Sequence, residues 1–194
     1  LDRAGRWDES IDLYNQAQEI APWQPIYYQF HAEALYNLAR ALPDDALDLK
    51  VGLLEAADRN LAEARRLDPL ELEYYANAGI LHAYWSEAVD PTHLDTAVAF
   101  LEQAAQLAPT RVDLRIDLGH VYHNHGRYEE ALEQYQIALQ IDPASAGAYY
   151  SAGEAWLALG QPDQAREALQ AALELAPNCD LCRSALEDLE AEGW

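Results

Sequence analysis

The stretch Gly126–Pro143, GRYEEALEQYQIALQIDP, decides the fold. Its apolar side chains at Ala131, Tyr135 and Ala138 are spaced by four and three, which places them on one face of a helix. The glycine ahead of it and the proline behind it mark where such a helix starts and stops. The frame recurs twice. GRWDESIDLYNQAQEIAP, Gly5–Pro22, puts Trp7, Ser10, Tyr14 and Ala17 at the matching places, and GQPDQAREALQAALELAP, Gly160–Pro177, puts Pro162, Ala165, Leu169 and Ala172 there.

The segments that precede these helices repeat as well. LRIDLGHVYHNHG (Leu114–Gly126) aligns with AYYSAGEAWLALG (Ala148–Gly160) through Gly119 and Gly153, and Tyr122 then matches Trp156. ELEYYANAGILHAYW (Glu71–Trp85) joins through Gly79, and IYYQFHAEALYNLA (Ile26–Ala39) through Ala32. A small residue at that place lets a neighbouring helix approach closely, and the bulky residue three later fills the gap beside it. Each unit therefore reads as two amphipathic helices joined by a short turn. Prolines Pro22, Pro69, Pro109, Pro143 and Pro177 close the units, at separations of 47, 40, 34 and 34.

The last two intervals equal the period of the tetratricopeptide repeat, and the chain resembles that family through Ala131, Ala138 and Pro143 in one unit and Ala165, Ala172 and Pro177 in the next. The resemblance implies an all-α fold, a right-handed superhelical solenoid of antiparallel helix pairs. It divides the chain into a truncated repeat over 1–22, repeats over 23–69, 70–109, 110–143 and 144–177, and a capping helix over 178–194. Two units are longer than the period. The unit 23–69 holds 13 extra residues, with Leu42 to Lys50 read as a longer turn running into an extended second helix. The unit 70–109 holds six extra residues near Glu87 to Thr92, where Asp90 and Pro91 make a helix start.

The ends differ. In the register of the repeat the first unit is expected to lack most of its first helix, so Leu1, Ile11 and Leu13 are expected to lack that helix's cover, as in a piece excised from a longer protein. Methionine is absent throughout. Asp180 to Glu192 reads as a terminal helix with Leu181, Leu186 and Leu189 turned inward and its acids turned to water, the polar outer face a repeat array needs for solubility.

Charge narrows the partners. Among 194 residues, 34 are Asp or Glu and 12 are Lys or Arg, a formal net charge of -22, while 51% are hydrophobic, enough for a core. Such a field disfavours nucleic acid and anionic membrane surfaces. No apolar run approaches the length of a membrane span. The expected partner is a neutral or basic protein or peptide, with self-association as an alternative; no cofactor is expected, and localisation stays open.

In the family the inner surface of the solenoid is lined by the first helix of each unit. The resemblance carries this surface onto Gln29, Phe30, Glu33, Tyr36 and Asn37, then Glu73, Asn77, Ile80 and Tyr84, then Asp113, Asp117, His120, His123 and Asn124, and finally Tyr150, Ser151, Glu154 and Leu157. Asn and Tyr can bond the backbone of an extended peptide and stack on its side chains without demanding one sequence. The carboxylates favour Lys or Arg in it. The family's clamp for a C-terminal carboxylate needs cations, and although Asn77 matches its asparagine, the cationic places hold Glu73, Asp113 and Asp117, so no such clamp is expected.

Two clusters invite chemistry. His120, His123 and His125 lie close together near Asp117, a spacing open to zinc or to solvated histidines. Cys179 and Cys182 form a C-x-x-C at a helix start, open to a free pair, a disulfide or half of a metal site. No phosphate loop, nucleophile elbow or zinc-protease motif occurs, so the expectation is a non-catalytic scaffold. A weaker resemblance, over Trp23 to Pro109, is to the repeat-bearing tail of bacterial O-antigen ligase or polymerase-like membrane proteins; it implies a soluble regulatory or assembly tail. A structural spacer is the remaining alternative.

Overall fold

The computed structural model describes residues 6–191; what was expected of Leu1, Gly5 and Glu192 lies outside them. Among the described residues there are ten α-helices and no strand, and the chain forms two compact units that meet in sequence at Ala108 and Pro109. The first holds α1 (Trp7–Ile20), α2 (Pro25–Ala41), α3 (Leu47–Leu67), α4 (Leu72–Ala88), a 3₁₀ turn (Pro91–His93) and α5 (Leu94–Leu107). The second holds α6 (Val112–Asn124), α7 (Tyr128–Ile141), α8 (Ala146–Ala158), α9 (Pro162–Leu175) and α10 (Asp180–Ala191).

Within each unit consecutive helices pair, and the small residues of the repeat show why. A Cβ added to Gly79 would lie 2.5 Å from Leu101 Cγ, one on Gly153 would lie 2.7 Å from Leu169 Cγ, and one on Gly119 would run into Tyr135 Cε1. Each glycine on a first helix thus receives the bulky residue of the second helix of its own pair. Leu101, Tyr135 and Leu169 are fully buried there. Between the helices of the two regular pairs, Gly126 and Gly160 take φ of 72° and 69°, a backbone that side chains resist and glycine adopts freely.

The core of the first unit gathers Leu35, Leu54, Leu61, Leu81 and Trp85 around the alanines Ala32, Ala39, Ala57 and Ala78. The fourth helix is apolar nearly all round and lies between α3 and α5, as such a helix must. In the second unit Leu114, Leu118, Leu132 and Tyr135 are buried, and Ala165, Leu169 and Leu189 form a further cluster with α10.

Two expectations are corrected. Ile11 is half-buried against the core of the first unit, on the side of the following helices, while Leu13 is exposed. Lys50 belongs to the first turn of α3 rather than to a turn between helices, and it is buried: its Nζ lies 3.0 Å from Asp44 Oδ1, the long stem packing inside while the charge meets a carboxylate. Leu181 is 66% exposed, and Cys182, one position on, takes the buried place with Leu189. The C-x-x-C that the sequence left open is a disulfide, with the Cys182 amide donating to Cys179 Sγ at 3.1 Å. As the sequence indicated, Asp90 caps the turn begun by Pro91, accepting from the Thr92 amide at 3.0 Å.

Gly119→Ala is expected to destabilise the chain by about 1–3 kcal/mol, because a fully buried ring has nowhere to retreat. Gly147→Ala, with nothing within 4 Å of the added carbon, is expected to be neutral or slightly stabilising. Urea denaturation of the two variants checks the contrast.

Candidate functional site

In the first unit the predicted residues come from α2 and α4. Along α2, Gln29, Glu33 and Asn37 follow one another every four residues and so share a face, with Tyr36 beside them. The fourth helix sets Asn77 and Ile80 opposite. These six line a cavity of about 290 Å³ whose floor is Ala32, Leu61 and Leu81. The Asn37 amide is oriented by donating to the Glu33 backbone oxygen at 2.9 Å. Tyr84 meets Tyr36 edge to face, with ring centroids 5.6 Å apart, and burial pushes the Tyr36 phenol up. Phe30 is not part of this cavity. Its ring turns toward α1 and lies 6.1 Å from that of Tyr14, and Glu73 also lies outside the lining, in the first turn of α4.

One feature of this face was missed in the sequence. Arg40 lies 5.5 Å from the centroid of the Tyr36 ring, a cation at the C-terminal end of α2. Its spacing of four from Tyr36 was the available signal. The face therefore runs from a carboxylate at Glu33 to a guanidinium at Arg40 and is not uniformly acidic.

In the second unit α6 and α8 supply the predicted residues. Asp113 is exposed but bound by the Arg111 guanidinium, Nε to Oδ1 2.8 Å, which holds its carboxyl below the usual range. Asp117 differs: it is half-buried, and burial first, then the Asp113 charge, push it up to about 6. His120 Nε2 lies 2.9 Å from Ser151 Oγ, linking α6 to α8, and Ser151 is itself buried. His123 turns instead to the Tyr128 ring on α7, at 5.1 Å. The two imidazoles, though one helical turn apart, thus serve different neighbours. No group of three or more His, Cys, Asp or Glu able to hold a metal occurs among the described residues. Asn124 is exposed at the end of α6. Tyr150 packs toward Leu169 and Leu189, and Glu154 with Leu157 borders a shallow hollow shared with Asp188 of α10.

A chain of paired antiparallel helices, small at one place and bulky at the facing one, defines a helix-repeat protein. The Tetratricopeptide repeat family matches residues 89–137 and 125–189, more than half of the chain, and the protein belongs to that family. It is 26% identical over 187 residues to the TPR repeat-containing protein MJ1428 of Methanocaldococcus jannaschii, covering 96% of this chain and 29% of that one. Among solved structures, the thermophilic TPR protein TTC0263 of Thermus thermophilus is 25% identical with a TM-score of 0.65, over 98% of this chain and 94% of that one. YrrB, described as a TPR protein with an unusual peptide-binding site, has a TM-score of 0.65 at 19% identity, over 96% of this chain and 87% of that one. The fold is that of the tetratricopeptide solenoid, an interaction scaffold. No described helix is long and apolar enough to cross a membrane.

Asp117 makes the second unit sensitive to pH. Its folded pKa, about 6, stands above the ordinary 3.8, so the folded chain binds the extra proton and stability falls as pH rises through that window. Asp117→Asn is expected to raise the unfolding midpoint in urea at neutral pH and to change it little at pH near 4, the comparison being made against the wild type at both.

Proposed function

We propose that the chain is a non-catalytic scaffold that binds an extended protein or peptide segment, neutral or basic, along the faces of its first helices. The observation that carries this reading is the cavity between α2 and α4, where amides at Gln29, Asn37 and Asn77 and the Tyr36 ring surround an apolar floor. An extended peptide offers what that arrangement takes: amide groups for the side-chain amides and an apolar side chain for the floor. Glu33 provides an anion beside it for a lysine or arginine. On α6 of the second unit Asp113 is paired with Arg111, so Asp117, ionised at neutral pH, would contribute the attraction for a cation that Asp113 would not. The net charge of -22 favours the same class of partner and opposes nucleic acid.

A second reading concerns the protein of which this chain would be a part. The chain spans 29% of its archaeal relative, which favours a repeat segment serving a larger protein; a regulatory or assembly tail of an O-antigen ligase or polymerase-like membrane protein is the form proposed.

The groove is tested with a peptide array followed by fluorescence anisotropy on the best binders. Enrichment of Lys and Arg, weaker binding at higher salt, and a loss of about tenfold in Tyr36→Ala and in Asn77→Ala, roughly 1.4 kcal/mol each, are expected. Binders that show no enrichment of Lys or Arg and are indifferent to both substitutions would remove the proposal.

A further inference from the structure

A second cluster of titratable groups lies in the first unit, apart from the cavity. His82 of α4 is 5% exposed, and its Nδ1 is 2.8 Å from Nδ1 of His93, which the six-residue insertion delivers at the end of the 3₁₀ turn. The two imidazoles and the Trp85 indole stack, His93 on Trp85 with centroids 3.9 Å apart and His82 on His93 at 5.0 Å. On the other side of His82, Nε2 faces Asp58 Oδ1 of α3 at 3.4 Å, a buried oxygen with no aligned hydrogen-bond donor. Arg65 of α3 stands 3.8 Å from the same oxygen, with its guanidinium 4.4 Å from the centroid of Phe100 of α5 and 5.9 Å from that of Tyr75. Asp90, at the start of the turn, is held by the Thr92 amide and acts on His93 through its charge.

The carboxylate determines where the protons sit. Asp58 requires a proton on His82 Nε2, because a lone pair there would face an anion. In neutral His82 the Nδ1 is then the acceptor, and His93 Nδ1–H is the donor to it. One further proton can be taken on His93 Nε2 without disturbing this chain, since His93 Nδ1–H still donates to His82. A second further proton has only His82 Nδ1 left, and there it sets N–H against N–H at hydrogen-bond distance. The hydrogen bond is lost, and two imidazolium charges and the Arg65 guanidinium stand against two carboxylates, Asp58 and Asp90.

We propose that His82 and His93 form a proton-operated latch that holds the inserted turn on α4 while a single proton lies between the two Nδ1 atoms, and releases the turn when both carry one. Backbone bonds fold the turn on itself and onto the end of α4: the Val89 and Asp90 amides donate to the Trp85 carbonyl at 3.0 and 2.9 Å, and the His93 amide to the Asp90 carbonyl at 3.2 Å. Release would free this loop without unfolding the helix pair beneath it, which Leu101 and Gly79 hold independently. The direction of the pH response follows from proton uptake: the released state carries one proton more between the two Nδ1 atoms than the closed state, so the closed state is favoured at higher pH and weakens as pH falls. Burial first, then His82, hold His93 itself below the ordinary imidazole value. The two Nδ1 atoms face each other at 2.8 Å, a hydrogen-bond distance, while Asp58 lies against the other nitrogen of His82, so these groups share a proton and do not converge on one metal position.

Hydrogen–deuterium exchange of residues 86–95 in the whole chain, corrected for the intrinsic pH dependence of exchange, is the direct test. Protection of these amides is expected to fall about tenfold or more between roughly pH 7.5 and pH 5, while the amides of α3 keep theirs. In His93→Phe, which keeps a ring for Trp85 and removes the nitrogens, the protection is expected to lose its pH dependence. Asp58→Asn, which removes an anion whose charge raises the proton affinity of His93, is expected to move the transition to lower pH. Wild-type protection that does not change with pH, or a pH response unaltered in both variants, overturns the latch. So does a one-to-one increase in protection on adding zinc, which would make the pair a metal site.

Discussion

The close approach of two helices at a residue without a side chain is the constraint on which the rest of the structure depends. Gly79, Gly119 and Gly153 each leave room for one large side chain, Leu101, Tyr135 and Leu169, and no atom could be added to the glycine without meeting it. That contact sets how near the second helix of a pair lies to the first. It also uses one face of each first helix, so the residues on another face, such as Asn77 and Ile80 on α4, are left to line a cavity. Packing at native density makes the arrangement specific, since neither partner can change size without a void or a clash.

Electrostatics acts on top of this frame, and the net charge of the chain is a poor guide to any one face. Arg111 binds Asp113, burial raises Asp117, and Arg40 stands over Tyr36, so three charged positions close to the candidate surfaces behave in three different ways. The only lysine is buried against Asp44 and stabilises the turn between α2 and α3 instead of meeting solvent. What distinguishes these groups is the neighbour each meets and its access to water, and both are products of folding.

The inserted residues belong to the same account. The six beyond the repeat period around Glu87 to Thr92 let the chain turn back through Asp90 and Pro91 and stack His93 on Trp85. His82 occupies the bulky place three after Gly79 that Tyr122 and Trp156 fill in the regular units. A polar ring at a packing position needs partners when buried, and here they come from α3 and from the insertion.

The sequence by itself determined the helix pairs and their membership of the repeat family, because a period of three and four residues within helices and 34 between units is written in the chain. It also specified the Asp90 cap, a local contact between near neighbours. Only the tertiary structure decided that Phe30 turns to Tyr14, that Leu181 faces water while Cys182 is buried, that Cys179 and Cys182 are bonded, and that Asp58, His82 and His93 meet. Helical periodicity specifies the face of a side chain to within a broad sector. Rotamer, pairing and proton affinity depend on which atoms of other helices fill that sector, and those atoms are distant in the chain.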